Sequence, residues 1–343
     1  MAVIDRDSPV VEKMASETCQ AKPRTPNKLS PGTAIMRTPS LGRLLAAIAM
    51  TAVPTMLVAQ VIDLTVNNVG VAIGDKPEMT GLRLNFRDRD LRRVNGVNAT
   101  IWMPYQAATG TVNGIALGVP ATGARSINGL AIGVFGVGVE RDLVGIGMGV
   151  VGIGSGGSMS GIMIGGVGAG AGGDARGLLI GGIGAGVGGS FTGVGIGGVG
   201  VGTGGNATGI LIGGIGVGAG GNVTGLAVGG VGVGAGGTLN GLSIGGIGVG
   251  APELRGVAIG GFGAGAERAR AIVLSGAYFK IAERGEFEGA SVSAYNRVLG
   301  RQHGLTIGLL NYAKQLDGVQ VGLINISDND GVRRILPLLS IRE

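Results

Sequence analysis

One phrase recurs along this chain, a glycine followed by an apolar-x-apolar triplet. It begins at Gly129, Gly145, Gly161, Gly177, Gly193, Gly209, Gly225 and Gly241, with a constant spacing of 16, and at Gly256 after 15. Looser copies start at Gly81, Gly96 and Gly114 upstream and at Ala271, Gly289, Gly304 and Gly318 downstream, at spacings of 14 to 18. One short unit repeated this way is the mark of a repeat architecture. In the unit Gly225 to Asn240, GLAVGGVGVGAGGTLN, the apolar residues beyond glycine are Leu226, Val228, Val231, Val233, Ala235 and Leu239. Most are two apart, the period of a strand. Spacings of three fall at Gly229-Gly230 and at Asn240-Gly241 and predict corners, since glycine supplies the positive φ that corners need.

The pattern predicts an all-β fold, a glycine-rich repeat β-solenoid with about 16-residue coils. Leu, Ile and Val ladders would lie inside, with an exterior mostly of glycine. On this reading Ile244 points inward and Ser243 outward. The alternative is an antiparallel β-meander or barrel with one strand per repeat, for which the Asn-Gly pairs at 95–96, 113–114, 128–129 and 240–241 would serve as hairpin turns. The solenoid is preferred because a fixed period follows directly from coil stacking. Transmembrane barrels also carry aromatic girdles, and between Gly129 and Arg270 the only aromatics are Phe135, Phe191 and Phe262.

Composition sharpens this. Glycine is 76 of 343 residues, charged residues are 14%, and hydrophobic residues are 45%. Glycine at that density opposes helix, the hydrophobic content opposes disorder, and no Gly-X-Y period supports collagen.

Residues 1–59 read as a leader. Leu44 to Ala59, LLAAIAMTAVPTMLVA, is an apolar core behind Arg37 and Arg43 and ends on small residues, the layout of a signal peptide. Translation from Met36 gives that leader ordinary proportions, with 1–35 an upstream extension and 36–59 the signal peptide. Residues 60–128 follow as an N-terminal cap with divergent repeats, 129–270 as the regular repeats, and 271–343 as divergent C-terminal repeats and cap. The one cysteine, Cys19, falls in the leader, so disulfides and thiolate chemistry are not expected of the exported part. Seven of the 27 basic and four of the 21 acidic residues also fall there, which lowers the net charge from +6 to +3 and weakens any expectation of a nucleic-acid partner.

Candidate chemistry is thin. Gly147 to Gly152 matches G-x-G-x-x-G, but no helix pattern or downstream acid accompanies it. Asp174 is the only acid between Gly145 and Gly250, too few carboxylates for a ladder of calcium sites. His303 is the sole histidine. Glu283, Glu286 and Glu288 are read as a solvated charged loop. Thr192, Thr208 and Thr224 share one repeat position and Asn206 and Asn222 another, which suits local turn bonding. A stacked column of that kind could also meet ice or a glycan. Asn98, Asn206 and Asn222 stand in N-x-T sequons. Arg87, Arg89, Arg92 and Arg93 alternate with Asp88 and Asp90 near Trp102 and Tyr105 and are read as a charged cap.

The units of the type GLSIGGIGVGA (241–251), with GLTIGLLNYA (304–313), GVQVGLINIS (318–327), GLRLNFRDRDLRRVNG (81–96) and RILPLLS (334–340), resemble the bacterial surface-repeat family first named from Leptospira. The resemblance covers about residues 81–343. It implies export to the cell surface or envelope, and it brings no reaction, cofactor, metal or catalytic residue with it. The expectation is an exported repeat protein with a structural or interaction role and no enzyme activity; the rival is an integral outer-membrane β-barrel. The partner is left open between an envelope component and a second copy of the chain.

Overall fold

The computed structural model describes residues 61–102 and 109–342. The leader, with Cys19 and Met36, and Tyr105 lie outside the described residues. All regular structure among the described residues is β, and the chain winds as a solenoid. A central coil consists of a seven-residue strand such as Met159–Gly165, a tight corner, a four-residue strand such as Gly168–Ala171, and a second turn. Each strand pairs in parallel with its counterpart one coil on. Gly177 sits beside Gly193 and Gly186 beside Gly202, a register shift of one 16-residue unit. Parallel register along both strands rules out the antiparallel meander or barrel.

The phrase-initial glycine sets the geometry. Gly161, Gly177, Gly193, Gly209, Gly225 and Gly241 all have φ between +108° and +139°, a region that L side chains avoid. Each also lies so close to the glycine one coil back that an added Cβ would overlap its carbonyl oxygen. The column runs from Gly70 to Gly318 and is broken only at Ala271, which stacks between Gly256 and Gly289.

Side-chain alternation passes straight through this glycine, which corrects the expected phase. In Thr238–Gly245 the buried positions are Leu239, Ser243 and Gly245, whereas Leu242 faces out and Ile244 is half-buried on the outer side. The predicted corner at Asn240-Gly241 is not a corner; it is the middle of a strand. Ser243 points inward and Ile244 outward, the reverse of the sequence reading. Turns fall at 166–167, whose repeat at 230–231 matches the corner expected at Gly229-Gly230, and at 172–174 and its repeats.

The core is therefore thin and uneven. Large residues such as Phe191, Met159, Met163, Leu211 and Leu239 are fully buried. They are offset by small neighbours: a Cβ on Gly195 would press on Phe191, Leu211 and Val201, and one on Gly147 on Ile153, Leu143 and Met163. These contacts join the inner face of the seven-residue sheet to that of the four-residue sheet, so the two outer faces point in opposite directions. Both ends of the stack close with an antiparallel strand, Ile62–Val66 on Val69–Ile73 and Val332–Arg342 on Gly318–Asn329. Pro337 in the last strand cannot donate to a further strand.

Two predictions follow from the backbone column and the corrected phase. Gly209→Ala should cost about 2 kcal/mol or more, from positive φ and the carbonyl overlap. Gly202→Ala, where an added Cβ meets nothing within 4 Å, should be neutral or stabilise by about 0.5 kcal/mol. Comparable denaturation midpoints for the two variants would contradict the role given to the column. Ser243→Asp should destabilise by about 4 kcal/mol through an unpaired buried carboxylate, and Ile244→Asp by about 1–2 kcal/mol. Thermal melts of both variants check the inward and outward assignment.

Candidate functional site

Two outer columns flank each buried residue of the seven-residue strand. The position after the column glycine runs Val71, Leu82, Val97, Ile115, Leu130, Ile146, Ile162 and on through Ile210, Leu242 and Ile272 to Leu305 and Val319. Two residues later the outer column runs Ile73, Leu84, Ala99, Leu117, Ile132, Met148, Ile164 and on through Ile212 and Leu274 to Ile307 and Val321. Both columns are apolar throughout, in the divergent end coils as well as the regular ones. A third apolar column lies at the corner: Phe135, Val151, Val167, Ile183, Val199, Ile215, Val231, Ile247 and Phe262, joined by backbone hydrogen bonds of 2.6–2.8 Å. Ile183, Ile215 and Ile247 are 53–56% exposed, while the neighbouring Ile210 and Ile212 are each 39% exposed because adjacent coils shield one another.

The buried column between the two outer ones is chemically mixed. It passes from Ala72 through Arg83, Asn98, Ala116, Met163, Leu211 and Ser243 to Ser291, Thr306 and Gln320, all buried. At the N-terminal end Arg83 is fully buried and bonds to Asp75, Asp88 and the Asn98 side-chain oxygen, the last at 2.7 Å. Asp88 also accepts from Asn85 and Thr100. At the C-terminal end Asn296 donates to Asn311 and Asn311 to Asn325, each at 2.8 Å, and Gln320 donates to Gln302 at 3.1 Å. Buried polar groups are tolerated when bonded in this way. The sequence pattern did not single out Arg83, Asn296 or Asn311 as interior; the one signal available was their register with the alanines and valines of neighbouring coils.

The opposite sheet presents bare backbone. Its outward positions, Gly152 and Gly154, Gly168 and Gly170, Gly184 and Gly186, and Gly200 and Gly202, repeat to Gly263 and Gly265. In the next coils the same positions hold Tyr278 and Lys280, then Tyr295 and Arg297.

The residues singled out by sequence fall into structural places. Gly147 to Gly152 forms strand, corner and strand, without the helix that a dinucleotide site needs. Asp174, Asn206 and Asn222 belong to one turn column in which each side chain accepts from a backbone N–H one coil on: Ser190 to Asp174, Asn222 to Asn206 and Thr238 to Asn222, all at 2.8 Å. Turn bonding thus accounts for Asn206 and Asn222. Asn98 is wholly buried, which removes it as a glycan acceptor. Thr192, Thr208 and Thr224 stack in register on the outer face between Arg176 and Asn240. His303 contacts Asp317 through Nδ1 at 2.9 Å on an exposed surface.

The glutamates do not converge. Glu288 pairs with Arg270 at 2.7 Å, Glu283 is exposed, and Glu286 lines a shallow depression with Arg284, Arg301 and Lys314. Asp88 is a buried anchor for Arg83 and is not one of the surface charges of the N-terminal run, whereas Arg92, Arg93 and Trp102 are exposed. Near the C-terminus Arg333, and then Tyr312, hold the Asp328 carboxyl below its usual range; burial, and then Asp328, raises the Tyr312 phenol. Among the described residues no three His, Cys, Asp or Glu side chains are grouped to hold a metal ion. No family model, curated protein or solved structure matches this chain.

Arg83→Ala should leave Asp88 buried without its cation and cost about 3–5 kcal/mol. Hydrogen exchange should show the loss concentrated in the coils around Gly81 and Gly96. Loss spread evenly along the stack would argue against a local anchor.

Proposed function

We propose that the chain is an exported envelope or cell-surface repeat protein that acts as a structural or interaction scaffold, through an extended surface and without a catalytic centre. One observation carries this reading. The outer columns stay apolar from Val71 to Val321, while the buried column between them admits arginine, asparagine, serine, threonine and glutamine. Stability alone favours the opposite arrangement, since burial rewards apolar side chains and exposure does not. A contiguous, half-exposed apolar surface of this extent marks an interaction site. The leader at 1–59 and the resemblance of the repeats to bacterial surface proteins support the location.

Export is tested by expressing the full chain with a C-terminal epitope in a bacterial host, then fractionating the cells and treating intact cells with protease. The expected product has lost about its first 59 residues, appears in the envelope or the medium, and is protease-sensitive on intact cells. Retention of the full-length chain in the cytoplasm would refute the location.

A further inference from the structure

We infer that the aliphatic face of the seven-residue sheet is the contact surface for a second copy of this chain, two stacks packing face to face. This rests on the reading of that face as an interaction surface and is independent of export. Coils rise by about 4.8 Å, so the stripe from Val71 to Val321 is roughly 75 Å long. At two columns it is about 12 Å wide, giving about 900 Å² per copy against the roughly 800 Å² per partner of a stable interface.

The composition of the face fits a protein partner. Its centre is Ile, Val and Leu, and the β-branched side chains have little rotamer freedom to lose on contact. Along the side preceding the column glycine it is edged mostly by polar residues: Asn95, Asn113 and Asn128 hydrogen-bonded in line, then, past Val144, Ser160, Arg176, Thr192, Thr208, Thr224 and Asn240. On that side the apolar centre meets a polar rim, as in a protein interface, and on the other it leads to the apolar corner column of Phe135 to Phe262. Lipid-facing surfaces instead use aromatic residues and clustered Lys or Arg at their margins. Here the rim is mostly neutral, and toward the C-terminus it carries Glu288 and Asp317 beside Arg270 and His303.

Pitch identifies the partner. The ridges repeat once per coil over the whole length, and only a surface of the same pitch stays in register along it. A second copy has that pitch, and its stripe is uncharged, so like charges do not oppose the approach. The other sheet does not compete, because its outward positions are glycines with no side chains to interlock.

The test is analytical ultracentrifugation of the purified full chain across a wide concentration range. The wild type should sediment as a discrete dimer of twice 33.7 kDa. Ile210→Lys with Ile212→Lys, at the centre of the stripe, should weaken the dimer by at least about 100-fold, as buried charge does at an interface core. Gly202→Lys with Gly218→Lys adds the same charge to the opposite sheet, where a Cβ meets nothing within 4 Å, and should leave the dimer intact. Circular dichroism establishes that each variant is folded; if the lysine pair unfolds, Ile210→Ser with Ile212→Ser replaces it and should also weaken the dimer. A monomeric wild type, an open-ended aggregate, or dissociation by the glycine-face pair alone would overturn the inference. So would flotation of a monomeric wild type with phosphatidylcholine–phosphatidylglycerol vesicles that the isoleucine variant lacks, which would make lipid the occupant.

Discussion

Everything in this solenoid is referred to one backbone contact. At the column glycine, the carbonyl of one coil occupies the space a side chain would take in the next. The contact demands both a positive φ and a missing Cβ, and only glycine meets both conditions. Because it recurs in every central coil at the same point, the coils cannot slip by a residue without placing a side chain against that carbonyl. Register in a parallel stack is otherwise weakly fixed when a face is rich in glycine. The sixteen-residue period of the central block is thus held by this steric condition, by equally close approaches in the columns of Gly165, Gly166 and Gly172, and by the turn column of Asp174, Ser190, Asn206 and Asn222, which adds a hydrogen bond per coil at the other end of the loop. Ala271 shows the limit of the rule, since it stacks in the column beside the irregular segment where the next coil shifts register between Ala266 and Arg268.

Fixing the register this way frees the interior from having to do so. The buried column next to the glycine changes from alanine to arginine, asparagine, methionine, serine and glutamine without altering the coil; Arg83 and Asn98 are bonded to each other and Gln320 to Gln302, with Gln320 Oε1 left without a partner. The polar interiors lie at the two ends, the Arg83–Asp88 group and the Asn296–Asn311–Asn325 line. The middle holds mainly apolar residues of alternating bulk, Phe191 against Gly195 and Val201, with only the small hydroxyls of Ser155, Thr203 and Ser243 among them. An interior of this kind makes the ends chemically distinct from the central repeats.

How much of this was legible follows from what a period can carry. The constant spacing and the high glycine content were enough for an all-β stack of 16-residue coils, because an insertion inside any coil would have broken the period. The face assignment was not legible. Apolar triplets such as Leu242-Ser243-Ile244 read as inward by the ordinary rule that apolar residues are buried, and here they bracket a buried serine. The rule fails because a positive-φ glycine reads as a corner, whereas it sits within a strand and leaves the alternation unbroken. Asp88 was similarly misplaced: among Arg87, Arg89 and Asp90 it looks like one more surface charge, and only the fold brings Arg83, Asn98 and Thr100 around it.

The two outer faces then differ in what the fold requires of them. On the four-residue sheet, Gly263 and Gly265 are followed in register by Tyr278 and Lys280 and by Tyr295 and Arg297, whose tyrosine rings lie 5.4 Å apart. On that sheet Gly202 and Gly218 leave open space for a Cβ, while a Cβ on Gly152 or Gly200 would approach the next coil's carbonyl oxygen to 3.2 Å, a looser demand than that of the positive-φ column. On the seven-residue sheet the two outward positions after the column glycine vary only among apolar residues, whereas the outward position before it is mostly polar. Conformational necessity explains the glycine column, and hydrogen bonding explains the polar interior. Neither explains a half-exposed stripe that stays aliphatic where the rest of the coil changes; the contact between two copies proposed above would.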